Sequence, residues 1–340
     1  MKRLAMSDPS STLSRDESGT RRRILTWHVH GNYLYYLSQV PHDFIIITQP
    51  GNPPGYGALG NALPWGDNIR EVPHDRIQDE EIDCVLFQSR VHYERDQHRL
   101  LSAAQRAVPR IYLEHDPPQE HPTDTRHPFQ DPDGLLVHVT PFNALMWDSG
   151  ITPAQVIEHG VVLPPGVRYR GDLARGITVV NHLSTRGRRL GADIYARAAS
   201  RLPIDLIGMG AEEMGGLGEV SNLAVPDYVS RYRFFFNPIR YTSLGLAVVE
   251  AMMSGVPVVG LATTELATVI ESGVNGYIDT RESRLIEVMQ GLLDDPQLAR
   301  AWGEAGRLYA EERFGIGRFV QDWLALFDQA CARSLMQEDV

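Results

Sequence analysis

Short apolar runs recur along this chain, with amphipathic segments between them. Phe44-Ile-Ile-Ile, inside 42–48, is the densest; 83–88, 110–114 and 134–140 are others. Runs this short and this continuously apolar suit strands buried on both faces of a parallel sheet. Residues 23–30 read as the first strand, Gly31-Asn32 as a turn and 33–40 as a helix. Helical periodicity over 93–108, a helix over 141–148 opened by Pro141, and a strand over 153–159 complete the first half. Strands alternating with helices predict a doubly wound α/β domain over 22–160.

The Pro- and Gly-rich segment 161–175 interrupts the alternation and reads as a hinge. The pattern then restarts, with strands over 177–182, 204–208 and 234–238 and helices over 192–201 and 228–233. Amphipathic helices over 283–292 and 296–313 close a second α/β domain, 176–315. A final helix, 316–331, carries Phe319, Trp323, Leu324 and Phe327. Two such domains joined by a hinge place a ligand in the cleft between their strand ends.

Composition narrows the function. The chain has 340 residues, 43% hydrophobic and 22% charged, which suits two globular domains. No continuously apolar stretch of about 18 residues lacks a charge, so no membrane span is expected. Residues 1–21 are Ser-, Asp- and Arg-rich without an apolar core, and read as a disordered tail rather than a secretory signal. Cys84 and Cys331 lack metal-type spacing and fit a reducing cytoplasm. The net charge is −11. Over 24–160, eight arginines stand against eighteen acidic residues, a balance of −10 that argues against a nucleic-acid partner.

The segment with the most chemistry is Arg240-Tyr-Thr-Ser-Leu-Gly-Leu-Ala-Val-Val-Glu250, followed by Ala-Met-Met-Ser-Gly-Val-Pro-Val-Val-Gly260. It reads as a tight loop, a short helix, a Gly255 stop and a strand. Free N–H groups and the helix dipole at the Thr242-Ser243-Leu244-Gly245 turn favour an anion. Glu250 lies among apolar neighbours, where a carboxylate is costly unless something such as a sugar hydroxyl donates to it. A phosphate at the turn and a hydroxyl at the carboxylate describe a nucleotide site.

This segment resembles the signature of the retaining, family-four ("group 1") glycosyltransferases. That signature is Glu, seven residues, Glu, then Ala-Met-Ala-x-Gly-x-Pro-Val. Glu250 holds the second Glu position, and Thr242 replaces the first. The resemblance is strongest over 175–330. It implies the GT-B fold, two Rossmann-like domains facing a cleft, with the last helix packed back on the first domain. It also implies transfer of a sugar from a nucleotide diphosphate donor to a hydroxyl acceptor with retention. No metal or resident cofactor is implied; the nucleotide sugar is itself the donor substrate. A glycan or carrier-linked acceptor, surface polysaccharide or glycoconjugate synthesis, and a cytoplasmic or inner-face peripheral location follow as expectations.

By the same resemblance, Glu250 holds the donor ribose, while Ser243, Leu244 and Gly245 offer N–H groups to the diphosphate. Thr242 and His115, which follows the strand 110–114, flank the transferred sugar. Gly31, after the first strand, approaches donor and acceptor. Leaving-group charge calls for positive side chains. The family's Arg and Lys positions are held here by His182 and Leu190, so Arg186, Arg188 and Arg189 are the candidates. Thr264, with Glu265, stands where the family approaches the phosphates.

Two patterns compete weakly. Gly55-Tyr-Gly-Ala-Leu-Gly60 matches a dinucleotide fingerprint, but Pro53-Pro54 replace the preceding strand, so it reads as an acceptor-side loop. His115, Asp116, His121, Asp124 and His127 cluster without a spacing that fixes a metal geometry. The Thr242 replacement keeps a catalytically silent GT-B protein open, and a GT-B epimerase or phosphorylase is a further alternative.

Overall fold

The computed structural model describes residues 21–338, so the tail expected over 1–21 lies almost wholly outside the described residues. Seven parallel strands form the first sheet. They are β1 (Arg23–Trp27), β2 (Asp43–Thr48), β3 (Ile69–Pro73), β4 (Cys84–Phe87), β5 (Arg110–Glu114), β6 (Leu135–His138) and β7 (Ala154–Val156). Their order is β3-β2-β1-β4-β5-β6-β7. The chain reverses its direction across the sheet between β1 and β4, and the crevice at such a switch point is where α/β sheets bind ligands. The apolar runs behave as their pattern demands: Phe44, Ile45, Ile46 and Ile47 are all buried.

The second sheet is also parallel, with order β12-β11-β10-β8-β9. It comprises β8 (Leu173–Val179), β9 (Ile204–Ile207), β10 (Tyr232–Asn237), β11 (Val258–Leu261) and β12 (Gly276–Asp279). Every residue of β10 is buried. Gly255, at φ +82°, takes the left-handed step that ends the preceding helix and turns the chain toward β11.

The Ile316–Glu338 helix lies against the first domain. Phe319 packs edge-on to Tyr33 with ring centres 5.7 Å apart, and Phe327 meets His42 at 5.3 Å. Arg318 donates to the carbonyls of Glu158 and His159. Chain therefore crosses between the domains twice, and the crossings touch where the Val161 N–H donates to the Phe314 carbonyl at 2.9 Å. Among the described residues no helix is long and apolar enough to cross a membrane.

Several elements differ from the pattern reading. The first helix begins at Gly31 and runs Gly31–Leu37, so Gly31-Asn32 is its first turn rather than a linker. The 93–108 stretch is broken: a wide turn at His92–Asp96 precedes Gln97–Leu100, and Ser102 caps a new helix, Ala103–Ala107, through the Gln105 N–H. β8 begins at Leu173, inside the segment read as hinge. β3 and β12 were not anticipated. Both are edge strands: Arg70 and Glu71 sit exposed between Ile69 and Val72, and β12 is mostly half-buried, so neither carries a continuous apolar run.

Candidate functional site

Between the domains lies a cavity of about 530 Å³, walled by residues that follow β1, β8 and β9 and by one face of the Leu246–Met253 helix. His30, Asn32, Asn181, Met209, Ala247 and Glu250 line it, with Gly31 at its rim. Of the residues singled out from the sequence, Gly31 and Glu250 border this cavity directly. Thr242, Ser243, Leu244, Gly245, His115 and Arg186 belong to the cleft beside it.

The turn that opens the Leu246–Met253 helix is built to leave donors free. The N–H groups of Ser243, Leu244 and Gly245 have no acceptor among the described residues. The first turn of a helix cannot pair its N–H groups internally, so an anion is favoured there. Side chains of the first domain fix the turn from behind. Asn143 Nδ2 donates to Ser243 Oγ at 3.3 Å, and His159 Nε2 donates to the Leu244 carbonyl at 2.7 Å. Burial lowers the His159 pKa to about 4, so its ring is neutral with the proton on Nε2. Gly245 has an ordinary extended backbone, φ −73° and ψ 139°, and an added Cβ would meet nothing within 4 Å. Gly245 is therefore not needed for the backbone turn; what it provides is open space in front of the N–H groups.

Glu250 is 3% exposed. Its Oε1 accepts from Tyr36 Oη at 2.8 Å, with Asn32 Nδ2 at the limit of hydrogen bonding, 3.5 Å. Burial raises the Glu250 pKa, and these two donors pull it back in part. Both donors come from the Gly31–Leu37 helix of the opposite domain. Tyr36 was not picked out from the sequence. Its signal was position alone: one of three tyrosines on a helix that starts where β1 meets the cleft.

The three arginines separate. Arg186 ends the Leu183–Arg186 helix without an ion-pair partner among the described residues. Burial, chiefly, and the neighbouring Arg189 depress its pKa, while Asp116 opposes them. Arg189 donates to Gln119 Oε1 of the first domain. Arg188, in contrast, is engaged by Asp193 at 3.0 Å, as is Arg240 at 2.6 Å. Arg188 is thus drawn toward Asp193, while Arg186 and Arg189 have no ion-pair partner among the described residues. The Arg240–Asp193 pair also braces the loop that carries the trio.

His115 is held as a neutral ring. Gln88 Nε2 donates to Thr26 Oγ1 and to the Trp27 carbonyl, each at 2.9 Å, which fixes Gln88 Oε1 as an acceptor. His115 Nε2, 3.1 Å from that oxygen, must carry the proton. Nδ1 is then an unprotonated acceptor, while His30 at 4.3 Å and Tyr33 at 4.8 Å flank the ring. Burial first, then the adjacent imidazoles of His30 and His159, push the His115 pKa well below its usual value.

Thr264 stands apart from the cavity. It has φ +52°, and its neighbour Glu265 turns inward to accept from the Phe142 N–H at 2.8 Å and from Arg313 at 2.9 Å. That loop ties the domains together rather than presenting groups to the cavity. The His- and Asp-bearing loop is likewise structural in part, since His127 Nε2 meets Glu114 Oε2 at 3.0 Å. The Gly55–Gly60 segment has no strand immediately before it and no helix immediately after it. It is pinned over the end of β1, where Ala58 O meets His28 Nδ1 at 2.9 Å.

Residues 211–309, which include the turn and Glu250, match the family model described as "Glycosyl transferases group 1". D-inositol 3-phosphate glycosyltransferase 1 of Catenulispora acidiphila is 36% identical over 95 residues, 27% of this chain and 22% of that protein. Alpha-maltose-1-phosphate synthase of Mycolicibacterium smegmatis is 25% identical over 231 residues, 61% of this chain and 59% of that protein. The matched regions thus span from about a fifth to three fifths of these relatives' lengths. The sucrose-phosphate synthase structure from Thermosynechococcus elongatus superposes with a TM-score of 0.67 at 16% identity, covering 92% of this chain and all of that one. The shared architecture is the two-domain GT-B fold.

Proposed function

We propose that this chain, whose second domain carries a group 1 glycosyl transferase segment, moves a sugar from a nucleotide diphosphate donor to a hydroxyl acceptor with retention. One observation carries the reading. A buried carboxylate, Glu250, sits on a short helix at the wall of an inter-domain cavity, and a turn of unpaired N–H groups at Ser243–Gly245 opens that same helix. In this reading Glu250 accepts from the donor ribose. The diphosphate rests on the turn, with Arg186 opposing its charge, and the sugar extends toward His115 and Thr242. The acceptor enters from the first-domain side. Closure of the domains excludes the water that would hydrolyse the donor. No metal or resident cofactor is part of the proposal. Synthesis of a surface polysaccharide or glycoconjugate, at or near the cytoplasmic face of a membrane, is its biological extension.

Thr242 motivates a second reading, a silent protein that binds a nucleotide sugar without transfer. The deciding experiment measures melting temperature with millimolar UDP-, GDP-, ADP- and dTDP-sugars, with NAD as control. A ligand that binds only the folded state at a hundred times its Kd stabilises it by about 2.7 kcal/mol. A rise with one nucleotide sugar, followed by sugar transfer from it, supports the transferase. A rise without transfer to any acceptor supports the silent reading. No rise, or a rise with NAD alone, overturns both.

A further inference from the structure

Glycosyl transfer makes two charges at once. As the anomeric carbon–oxygen bond to the diphosphate breaks, its electron pair leaves with the phosphate and positive charge spreads over the anomeric carbon and ring oxygen. Arg186 and the free N–H groups of the turn answer the negative charge. The positive charge calls for an anion, and the groups around the turn are otherwise cationic or neutral: Arg186, Arg189, His30, His115 and Thr242.

The nearby carboxylates are mostly committed elsewhere. Glu114 accepts from the Asp116 N–H and meets His127. Asp193 is held by Arg188, Arg197 and Arg240. Glu265 is tied to Phe142 and Arg313. Glu250 is joined to Tyr36 at the cavity wall. Asp116 remains. Its backbone is fixed at both ends, the N–H donating to Glu114 at 2.9 Å and the carbonyl accepting from Trp147 Nε1 at 2.8 Å. Its side chain reaches across the cleft to Thr242, with Oδ1 3.5 Å from Thr242 Oγ1. That contact is long and weak, so the carboxylate is placed but not consumed. It also sits near enough to His30 and Arg186 to oppose the lowering that burial imposes on the pKa of each.

We propose that Asp116, supplied by the first domain, is the carboxylate that faces the donor's anomeric centre beside Thr242. The inference rests on the transferase reading above. Asp116 forms no bond to the sugar. It stabilises developing positive charge while the acceptor oxygen bonds to the anomeric carbon and its proton passes to the departing phosphate. Since Asp116 and the phosphate turn belong to different domains, the charge pattern is complete only when the cleft is closed.

The test uses Asp116→Asn in the full chain with the donor identified by the melting panel. Among the described residues the side chain makes no other hydrogen bond, so the variant should melt with the wild type. kcat is expected to fall about 10²–10³-fold, the scale of losing one preorganised electrostatic contact, with affinity for the bare nucleoside diphosphate unchanged. Adding Thr242→Glu to Asp116→Asn returns a carboxylate to the neighbouring position and should recover at least about tenfold. A kcat within about threefold of wild type, an equal loss of nucleoside diphosphate affinity, or no recovery in the double variant overturns the assignment. If the wild type transfers sugar from no donor, the transferase reading fails on its own. Binding then decides Asp116: the variant must weaken a sugar nucleotide more than the bare nucleotide, and equal weakening overturns the role.

Discussion

Tyr36 donates its hydroxyl to Glu250 at 2.8 Å, and the two residues belong to different domains. The bond places the one fully buried carboxylate of the cavity under the control of the first helix of the first domain. Tyr36→Phe keeps the ring in its buried site and removes only the donor. Glu250 would be left with Asn32 alone at 3.5 Å. Leaving a buried charged acceptor short of a donor costs about 1–3 kcal/mol. The variant should lose about that much stability in urea denaturation, and the donor KM should rise while kcat moves less. An unchanged KM would mean that Tyr36 braces the closed cleft without orienting Glu250.

Glu250 itself should show a pH signature. Its folded pKa is raised by burial above the unfolded value. Such a group favours the folded state when protonated, so its stabilising contribution is present below the unfolded pKa and lost as pH rises through the folded one. Glu250→Gln mimics the protonated form and can still accept from Tyr36. Without ligand, the variant should melt above the wild type at pH 8, with the gap closing as pH falls toward about 4, where unfolded Glu titrates. Donor binding should run the other way. A ribose hydroxyl bonds more strongly to an ionised acceptor, so the Gln variant should bind the donor about tenfold more weakly at pH 8. A Gln variant that melts below the wild type at pH 8 would contradict the first expectation.

The arginine trio gives a comparison within one loop. Arg188 is neutralised by Asp193, whereas Arg186 has no ion-pair partner among the described residues. Arg186→Ala should weaken nucleoside diphosphate binding about tenfold, and Arg188→Ala should leave it within about twofold, since exposed ion pairs contribute little. Isothermal titration of the two variants settles the difference. A larger effect at Arg188 would mean that its pair with Asp193 opens on binding.

How legible was this in the sequence? The strands with continuous apolar runs, such as 44–47 and 234–236, announced themselves because burial on both faces leaves no room for polar residues. The edge strands Ile69–Pro73 and Gly276–Asp279 did not, because an edge tolerates Arg70, Glu71 and glycine. Glu250 and the turn before it were legible from local chemistry, an acid among apolar residues after a glycine. Tyr36 and Asp116 were not, because each matters through a partner more than 120 positions away. Arg188 looked equivalent to Arg186, and only the fold shows that Asp193 sits beside one of them.

Gly245 separates space from strain. A glycine is usually required where the backbone enters the left-handed region, but Gly245 has φ −73°, which alanine adopts freely. An added Cβ would touch nothing in the unliganded protein. Gly245→Ala should therefore fold normally, and removing glycine's extra freedom in the unfolded chain should hold or raise its melting temperature by an amount worth about 0.4–1 kcal/mol. If the space before the turn exists for a diphosphate, the same methyl meets the ligand. The variant should then lose most of its affinity for nucleotide sugars while its unliganded melting is unharmed. Normal binding in Gly245→Ala would show that the phosphate lies elsewhere, and a lower unliganded melting temperature would show that the glycine serves the fold after all.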